Sequence, residues 1–245
     1  MSKNPFVPES DVKYVIVDGR EKILLTAFSK LKIKVIFTQK CNAVYEAISY
    51  HPDIIMHPVG EKTFVLAPNV SRHFINLLKN LNIKVIVGQT YLKRNYPDNI
   101  AYNVARIGTF AFHNLKYTDK VLRDYLEREN VNFINVKQGY TKCNMAIIDN
   151  QSFITSDKGI YDKALLYGLD GLLIEKGDIF LKGFDYGFIG GSVGLIGKNK
   201  LVINGDLKKH KEFEKINEFL YKKRIETIFL TIDKLKDIGS IIPLY

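Results

Sequence analysis

Cysteine and long apolar segments are what this sequence has least of. Its 245 residues include two cysteines, Cys41 and Cys143, and no metal-ligand spacing surrounds either of them. This scarcity predicts free thiols in a reducing compartment, with neither a metal nor a cofactor. No window approaches the roughly 18 apolar residues of a membrane helix, and the first residues, MSKNPFVPESD, lack the apolar core of a signal peptide. We therefore expect a cytoplasmic protein that does not bind membranes.

Acidic residues are in the minority as well. Lys and Arg number 36 against 26 Asp and Glu, which gives a net charge of +10 and a pI near 9.3. An excess of this size permits an acidic or nucleic-acid partner without requiring one. Hydrophobic residues make up 46% of the chain, which is enough for a large core at this length.

The chain contains a fivefold repeat of a short apolar phrase that ends in polar or turn residues. The five copies are YVIVDGR, TFVLAPN, TFAFHNL, SFITSDK and KLVINGD. Aligned on Val15, Phe64, Phe110, Phe153 and Leu201, they are 49, 46, 43 and 48 residues apart. A recurrence of 40 to 50 residues is typical of repeat architectures.

Each copy belongs to a larger unit. Most copies are followed by a helical pattern, such as SRHFINLLKNLN, and then by another strand, such as IKVIVGQ. Four copies are also preceded by a strand that forms a hairpin with them, for example DIIMHPVGEKTFVLAP and SVGLIGKNKLVI. One unit is therefore strand, strand, helix, strand.

The first copy has no hairpin partner upstream, and the spare strand is SIIPLY, residues 240–245. Pairing this terminal strand beside YVIVDGR completes the first unit and removes an apolar edge. The sequence thus predicts an α/β fold: a five-bladed ββαβ propeller with pseudo-fivefold symmetry, closed by the C-terminal strand beside the N-terminal strand. The alternative is a two-layer α/β sandwich with irregular strand order. No linker interrupts the repeat, so we expect an N-terminal arm at residues 1–10 and a single domain at residues 11–245.

Polar residues open the first strand of every hairpin. These residues are Asp53, Asp98, Asn144, Ser192 and Ser240, spaced by 45, 46, 48 and 48 residues. In a repeat ring, equivalent positions lie at one height around the axis, so we expect the five side chains to converge on a polar cleft that binds a ligand. The alternative is that each residue caps its own turn.

The sequence resembles a known fold family at this point. The segments YPDNIAYN, GYTKCNMAIIDN, ITSDKGI, GFDYGFIGGSVG and DIGSIIPL are similar to an uncharacterised bacterial family with the pentein fold, over residues 11–245. Pentein proteins include the guanidino-group-modifying enzymes, such as arginine deiminases and amidinotransferases, and a ribosome anti-association factor. The resemblance implies the same propeller, whereas fold alone does not imply function.

The sequence departs from the hydrolytic pentein proteins at their catalytic positions. Those proteins carry a nucleophilic cysteine before the terminal strand and a histidine that opens the fourth hairpin. Gly239 and Ser240 stand at the first place, and residues 189–192 stand at the second. The usual deiminase chemistry is therefore not expected. Cys143 adjoins Asn144 and is the candidate for an alternative nucleophile, although Lys142 beside it is expected to point to the opposite face of a strand. His57 and His113 are candidate bases.

The remaining candidate residues are expected to bind charged groups of a ligand. Asp53 and Asp98 suit a guanidinium or ammonium group, whereas the amides of Gly190 and Gly191, together with Ser192, suit an anion. Asp157 and Asp206, at the ends of second hairpin strands, are further candidates for the acidic set. Close packing at a crowded axis is the alternative explanation for the two glycines.

Three functions remain open from the sequence. The preferred one is binding of a small polar metabolite, of amino-acid or guanidino type, in the axial cleft. The first alternative is nucleic-acid or ribosome binding through the basic last helix, LKKHKEFEKINEFLYKKR, although its interleaved glutamates are typical of a solvated face. The second is a non-standard amidinohydrolase or amidinotransferase that uses Cys143. The sequence does not decide whether the protein is an enzyme.

Overall fold

The computed structural model describes residues 4–244, and its strands fall into five three-stranded sheets. The strands are β1 (Tyr14–Val17), β2 (Lys34–Phe37), β3 (Met56–Gly60), β4 (Thr63–Leu66), β5 (Lys84–Val87), β6 (Ala105–Ile107), β7 (Phe110–His113), β8 (Asn132–Asn135), β9 (Ala146–Ile147), β10 (Ser152–Thr155), β11 (Asp170–Leu173), β12 (Val193–Gly197), β13 (Lys200–Ile203), β14 (Glu226–Phe229) and β15 (Ile242–Leu244). The sheet orders are β15-β1-β2, β3-β4-β5, β6-β7-β8, β9-β10-β11 and β12-β13-β14. In every sheet the central strand is antiparallel to the first strand named and parallel to the last. The predicted five-bladed propeller of ββαβ units is confirmed.

The helices divide into two groups by position in the unit. They are α1 (Leu24–Lys30), α2 (Pro52–Ile55), α3 (Arg72–Asn80), α4 (Lys120–Arg128), α5 (Thr141–Asn144), α6 (Lys158–Leu165) and α7 (Phe213–Lys222). Five of them, α1, α3, α4, α6 and α7, link a central strand to the parallel strand beside it. The short helices α2 and α5 lie directly before the hairpin strands β3 and β9, and a 3₁₀ turn, Ile189–Ser192, has the same place before β12. These one-turn elements therefore lead into the hairpins of three of the five units.

The linking helices bury one face, as their apolar spacing predicts. On α3, Phe74 and Leu78 are buried because they lie one turn apart on the face toward the sheet. Two of the predicted polar candidates, Asp157 and Asp206, cap the starts of helical segments, and a role for them in ligand binding stays a prediction. The Asp157 side chain accepts a hydrogen bond from the backbone of Ile160 at the start of α6, and Asp206 does the same for Lys208. Each satisfies a backbone donor at a helix start that would otherwise lack a partner.

The propeller closes through its two chain ends. Strand β15 pairs antiparallel with β1, with Ile16 opposite Ile242 and Val15 opposite Pro243. Pro243 is tolerated because β15 is the outer strand of its sheet, where one side needs no backbone donor. Ile242 is fully buried, so the apolar terminal run is explained by its pairing with the first central strand. The last residue of that run, Tyr245, lies outside the described residues.

The first described residues pack on the propeller core. The Phe6 side chain is 4% exposed, and its ring lies edge-on to the ring of His57 at 5.3 Å. The Asn4 amide donates to the backbone oxygen of Arg106 at 3.3 Å. The predicted arm at residues 1–10 thus lies against the core from Asn4 onward, while its boundary as a unit stays a prediction. None of the helices within residues 4–244 has the length and hydropathy of a membrane span.

Candidate active site

Polar side chains from three propeller blades meet in one buried cluster at the axis. Ser240 Oγ lies 2.6 Å from Asp53 Oδ2 and 2.9 Å from the backbone oxygen of Gly190. Lys142 Nζ donates to Ser240 Oγ at 2.9 Å. The four residues are buried, so polar groups converge at the axis, and binding of a ligand there stays a prediction. We call this group the axial cluster. It consists of Asp53, Lys142, Gly190 and Ser240, together with Cys143, Asn103, His51 and Asp237, which are described next.

The thiol of Cys143 belongs to the axial cluster. Its Sγ donates to Asp53 Oδ2 at 3.1 Å and accepts from Asn103 Nδ2 at 3.2 Å. The Asn103 side-chain oxygen in turn accepts from the backbone of Lys142 at 2.9 Å. Cys143 is therefore held between a carboxylate and an amide, as expected for a thiol near the predicted hub.

Asp98 is not brought to the axial cluster. Its side chain is 51% exposed and pairs with Lys93 on the surface at 3.4 Å. The strand of that hairpin begins only at Ala105, seven residues after Asp98, whereas β3 begins three residues after Asp53. Asn103, two residues before Ala105, contacts the cluster in its place. Sequence spacing missed it because the loop in this blade is longer.

The predicted orientation of Lys142 is wrong. Lys142 and Cys143 were expected on opposite faces of a strand, but residues 141–144 form the one-turn helix α5. Successive helical residues diverge by roughly 100° rather than 180°. Both side chains are consequently buried in the same cluster, with Asp53 and Ser240 between them.

The predicted anion-binding residues are engaged in packing and turn contacts. A Cβ atom on Gly190 would lie 2.4 Å from the Lys142 backbone oxygen, and one on Gly191 would lie 1.9 Å from Asp237 Oδ1. The Gly191 amide donates to the Phe188 oxygen, and Ser192 Oγ donates to the Ile189 oxygen. Close approach of neighbouring segments therefore accounts for both glycines, and anion binding stays a prediction.

Asn144 lies in the same one-turn helix as Cys143 and is 1% exposed. Its amide nitrogen donates to the Tyr140 oxygen at 3.1 Å. Its side-chain oxygen is buried and has no hydrogen-bond partner in the described part of the chain. The structure thus places Asn144 next to the cluster, and its role in binding stays a prediction.

Besides Asn103, the sequence reasoning missed two cluster residues, His51 and Asp237. A His51 ring nitrogen, Cys143 Sγ and an Asp237 carboxylate oxygen all lie within 4.8 Å of one another. His51 is held against Gly239, where an added Cβ would lie 2.2 Å from the His51 Cβ. The available signal was proximity in sequence, since His51 precedes Asp53 by two residues and Asp237 precedes Ser240 by three.

The remaining contacts of His51 are to carboxylates at long range. Its Nδ1 lies 3.9 Å from Asp237 Oδ1, and its Nε2 lies 3.8 Å from Asp18 Oδ2. Asp18 is anchored by Arg20, whose guanidinium also donates to the backbone oxygens of residues 46 and 47. Neither ring nitrogen of His51 has a hydrogen-bond partner among residues 4–244.

The histidines that the sequence suggested as bases are engaged elsewhere. His113 bonds to Thr118 Oγ1 at 2.7 Å and to the Gly139 oxygen at 3.0 Å. Burial lowers its pKa to about 4. Burial and the nearby charge of Arg106 hold the pKa of His57 well below its usual value. Both rings are therefore neutral at pH 7, and their observed contacts are structural.

Burial dominates the electrostatics of the cluster. It raises the pKa of the Cys143 thiol well above its ordinary value, and the charges of Asp53 and Asp237 raise it further. Burial also raises the pKa of Asp237 and lowers that of Lys142. The thiol is thus protonated as the cluster stands, and a cation placed among the carboxylates would favour the thiolate.

Aromatic residues border the cluster on the side of the thiol. The hydroxyls of Tyr45 and Tyr140 lie 3.2 Å apart, and Phe184 and Phe188 pack against these two rings at 5.3 and 6.4 Å. The Phe188 amide donates to Asp237 Oδ2 at 2.9 Å. Phe184 is 51% exposed, so this aromatic border reaches the surface of the protein.

Several lysines in and beside the basic last helix form ion pairs with acidic residues. Lys215 pairs with Glu212 at 2.9 Å, Lys222 pairs with Glu218 at 2.7 Å, and Lys223 pairs with Asp170. Such alternating charge is typical of a solvated helix face. Nucleic-acid binding by this helix stays a prediction.

Comparison with known proteins identifies the fold. Residues 16–242 match a family described as "Family of unknown function (DUF6873)". No curated protein sequence matches the chain. Among solved structures, the inosamine-phosphate amidinotransferase of Streptomyces griseus has a TM-score of 0.61 at 11% identity, covering 100% of this chain and 97% of its own.

Two further solved structures are similar to this chain over most of its length. The agmatine deiminase of C. jejuni has a TM-score of 0.56 at 12% identity, with coverage of 94% and 89%. DDAH from Pseudomonas aeruginosa, a mutant complexed with citrulline, has a TM-score of 0.56 at 8% identity, with coverage of 91% and 92%. These are pentein-fold proteins. The chain therefore has the pentein fold that its sequence motifs indicated, and identities this low establish the fold alone.

Proposed function

We propose that this chain, which belongs to the family of unknown function DUF6873, binds a small metabolite with a guanidinium or amidinium group at the axial cluster and acts on it through the Cys143 thiol. The observation that carries the proposal is the mutual approach of Cys143, His51 and Asp237 within 4.8 Å. A thiol, an imidazole and a carboxylate in one site are the groups that nucleophilic catalysis requires.

Charge in the cluster supports a cationic ligand. Asp18 is paired with Arg20, and Asp53 is linked to Lys142 through Ser240. Asp237 forms no salt bridge with a Lys or Arg in the described part of the chain, although His51 lies 3.9 Å from it. The one charge of Lys142 acts on both Asp53 and Asp237. One carboxylate therefore remains uncompensated, which a single guanidinium or amidinium group would neutralise through charge-assisted hydrogen bonds.

The same cation would activate the thiol. With a guanidinium beside Asp53 and Asp237, the electrostatic cost of forming the Cys143 thiolate falls, and His51 is positioned to receive the proton. The thiolate then attacks the guanidinium carbon, the leaving amine takes the proton back from His51, and water or a second amine releases the amidino group from sulfur. The first acceptor corresponds to a hydrolase and the second to a transferase.

Structural neighbours are consistent with this class. They include proteins named as an amidinotransferase and an agmatine deiminase, although their catalytic cysteine position is held here by Gly239 and Ser240. In the proposal the nucleophile comes from helix α5 and the histidine precedes helix α2. Access requires the aromatic border to open, and the exposed segment 182–185, with Gly183 at a φ of +85°, is the part that would move.

The proposal is tested by binding and by trapping. Isothermal titration with agmatine, L-arginine and neutral citrulline is expected to show binding of the two cations only, and Asp237→Asn is expected to weaken it. After incubation with substrate and acid quenching, intact-mass spectrometry is expected to detect an amidino adduct in the wild type and in Cys41→Ser, but not in Cys143→Ser.

Cys41 is a matched control because it is the other buried, free cysteine. Equal affinity for citrulline and agmatine would refute the charge argument. An adduct that persists in Cys143→Ser would refute the assignment of the nucleophile.

A further inference from the structure

We propose that His51, Cys143 and Asp237 form a site for one divalent transition-metal ion of the zinc class, and that the ion holds the thiol in an inactive form. The three side chains supply one nitrogen, one sulfur and one oxygen, the ligand types that Zn²⁺ takes in proteins. They come from three segments that the propeller axis brings together, before α2, within α5 and before β15. No sequence spacing marks such a site.

The separations suit a tetrahedral ion. Bonds of about 2.1 Å to nitrogen and oxygen and about 2.3 Å to sulfur place neighbouring ligands roughly 3.4 to 3.7 Å apart. His51 Nδ1 and Asp237 Oδ1 lie 3.9 Å apart, too far for a hydrogen bond and close to the separation of two ligands on one ion. A contraction of a few tenths of an ångström completes this edge of the coordination sphere.

A second, independent observation is the state of the His51 ring. The side chain is 1% exposed, and neither nitrogen has a hydrogen-bond partner among residues 4–244. A buried imidazole without partners is costly. A metal on Nδ1 satisfies one nitrogen and leaves Nε2 facing Asp18 Oδ2 at 3.8 Å, which is the carboxylate–histidine–metal arrangement that orients metal ligands. Arg20 holds Asp18 through hydrogen bonds to both carboxylate oxygens.

On a tetrahedral ion the three ligands leave one coordination position for water or a ligand atom. Binding the ion displaces the Cys143 S–H proton to solvent and forms a metal–thiolate bond. One sulfur lone pair is then bound to the ion and the thiolate charge is neutralised, so attack on carbon is suppressed until the ion is removed. The inhibitory role of the ion rests on the proposed function of the thiol, whereas the metal site itself does not depend on it.

Cobalt provides the test, because Co²⁺ occupies zinc sites and reports sulfur ligation by a thiolate-to-metal charge-transfer absorption in the near ultraviolet. Titrating the freshly reduced, chelator-treated full chain with Co²⁺ is expected to give this band at one ion per chain, with loss of the band when one equivalent of Zn²⁺ is added. The band is expected in Cys41→Ser and absent in Cys143→Ser. Thermal unfolding curves without metal confirm that each variant is folded.

A variant of Asp18, whose carboxylate faces His51 Nε2, separates ligation from folding. Asp18→Asn is expected to keep the band but weaken metal affinity by about 10- to 100-fold, because it removes the carboxylate facing Nε2. A band that is absent in the wild type, or that survives in Cys143→Ser, overturns the metal site. If the band forms but no amidino adduct is trapped from the metal-free chain, the metal site stands and the proposed thiol chemistry fails.

Discussion

Replacing Ile242 by alanine tests the closure of the propeller in quantitative terms. Ile242 is fully buried in strand β15, directly opposite the equally buried Ile16 of β1. Removing a buried isoleucine side chain to Cβ costs about 2 to 5 kcal/mol of unfolding free energy, from lost transfer energy and the cavity left behind. For a chain of this size each kcal/mol corresponds to about 2 to 4 °C in Tm. A loss of about 3 kcal/mol therefore lowers Tm by about 6 to 12 °C.

The assay is urea unfolding followed by circular dichroism, with Tm measured in parallel. Ile232→Ala is the control, because Ile232 is 82% exposed and its replacement is expected to change stability by less than about 0.5 kcal/mol. Ile16→Ala and the double variant complete a cycle, in which contacting residues show a coupling of about 0.5 to 3 kcal/mol. An Ile242→Ala variant as stable as the control, or additive single effects, would refute the pairing of the two chain ends.

Three further predictions concern charge. Asp53→Asn removes a carboxylate 3.1 Å from the Cys143 sulfur, so the thiol pKa is expected to fall and alkylation by a small neutral reagent to reach its plateau at lower pH. Asp98→Asn, on the surface, is the control and should leave the pH profile of alkylation unchanged. An equal shift in both variants would contradict the placement of Asp53 beside the thiol. The pKa of His113 is lowered to about 4 in the folded state, below the ordinary value of about 6.5, so its contribution to stability is present above pH 6.5 and is lost as pH falls toward 4, at about 1.4 kcal/mol per pH unit. His113→Gln should flatten that part of the stability curve whereas His73→Gln, at an exposed position, should not, and unchanged slopes in both would count against a neutral buried ring. Finally, if the last helix binds RNA, gel-shift affinity should drop steeply between two salt concentrations; affinity that does not depend on salt would exclude its lysines as the contact.

The sequence determined the architecture because the repeat can be recognised from the pattern of hydrophobic residues alone. Five apolar phrases at near-constant spacing, each followed by an amphipathic helix, predict five ββαβ units, and the unpaired run at residues 240–245 predicts where the ring closes. Strand pairing depends on local periodicity and on the burial of apolar edges, both of which can be recognised along the chain. Asp53, Cys143 and Ser240 reached the hub for the same reason, since each lies at most three residues before a hairpin strand.

The composition of the site depended on the tertiary structure. Asn103 replaces Asp98 because one loop is longer, and Lys142 shares the hub with Cys143 because the chain makes a single helical turn there. His51 and Asp237 come within 4.8 Å of the thiol from segments that are 92 and 94 residues away from it in sequence. Which side chains meet at an axis is set by the path of each connecting segment to within a few ångströms, and hydrophobic periodicity carries no information at that scale.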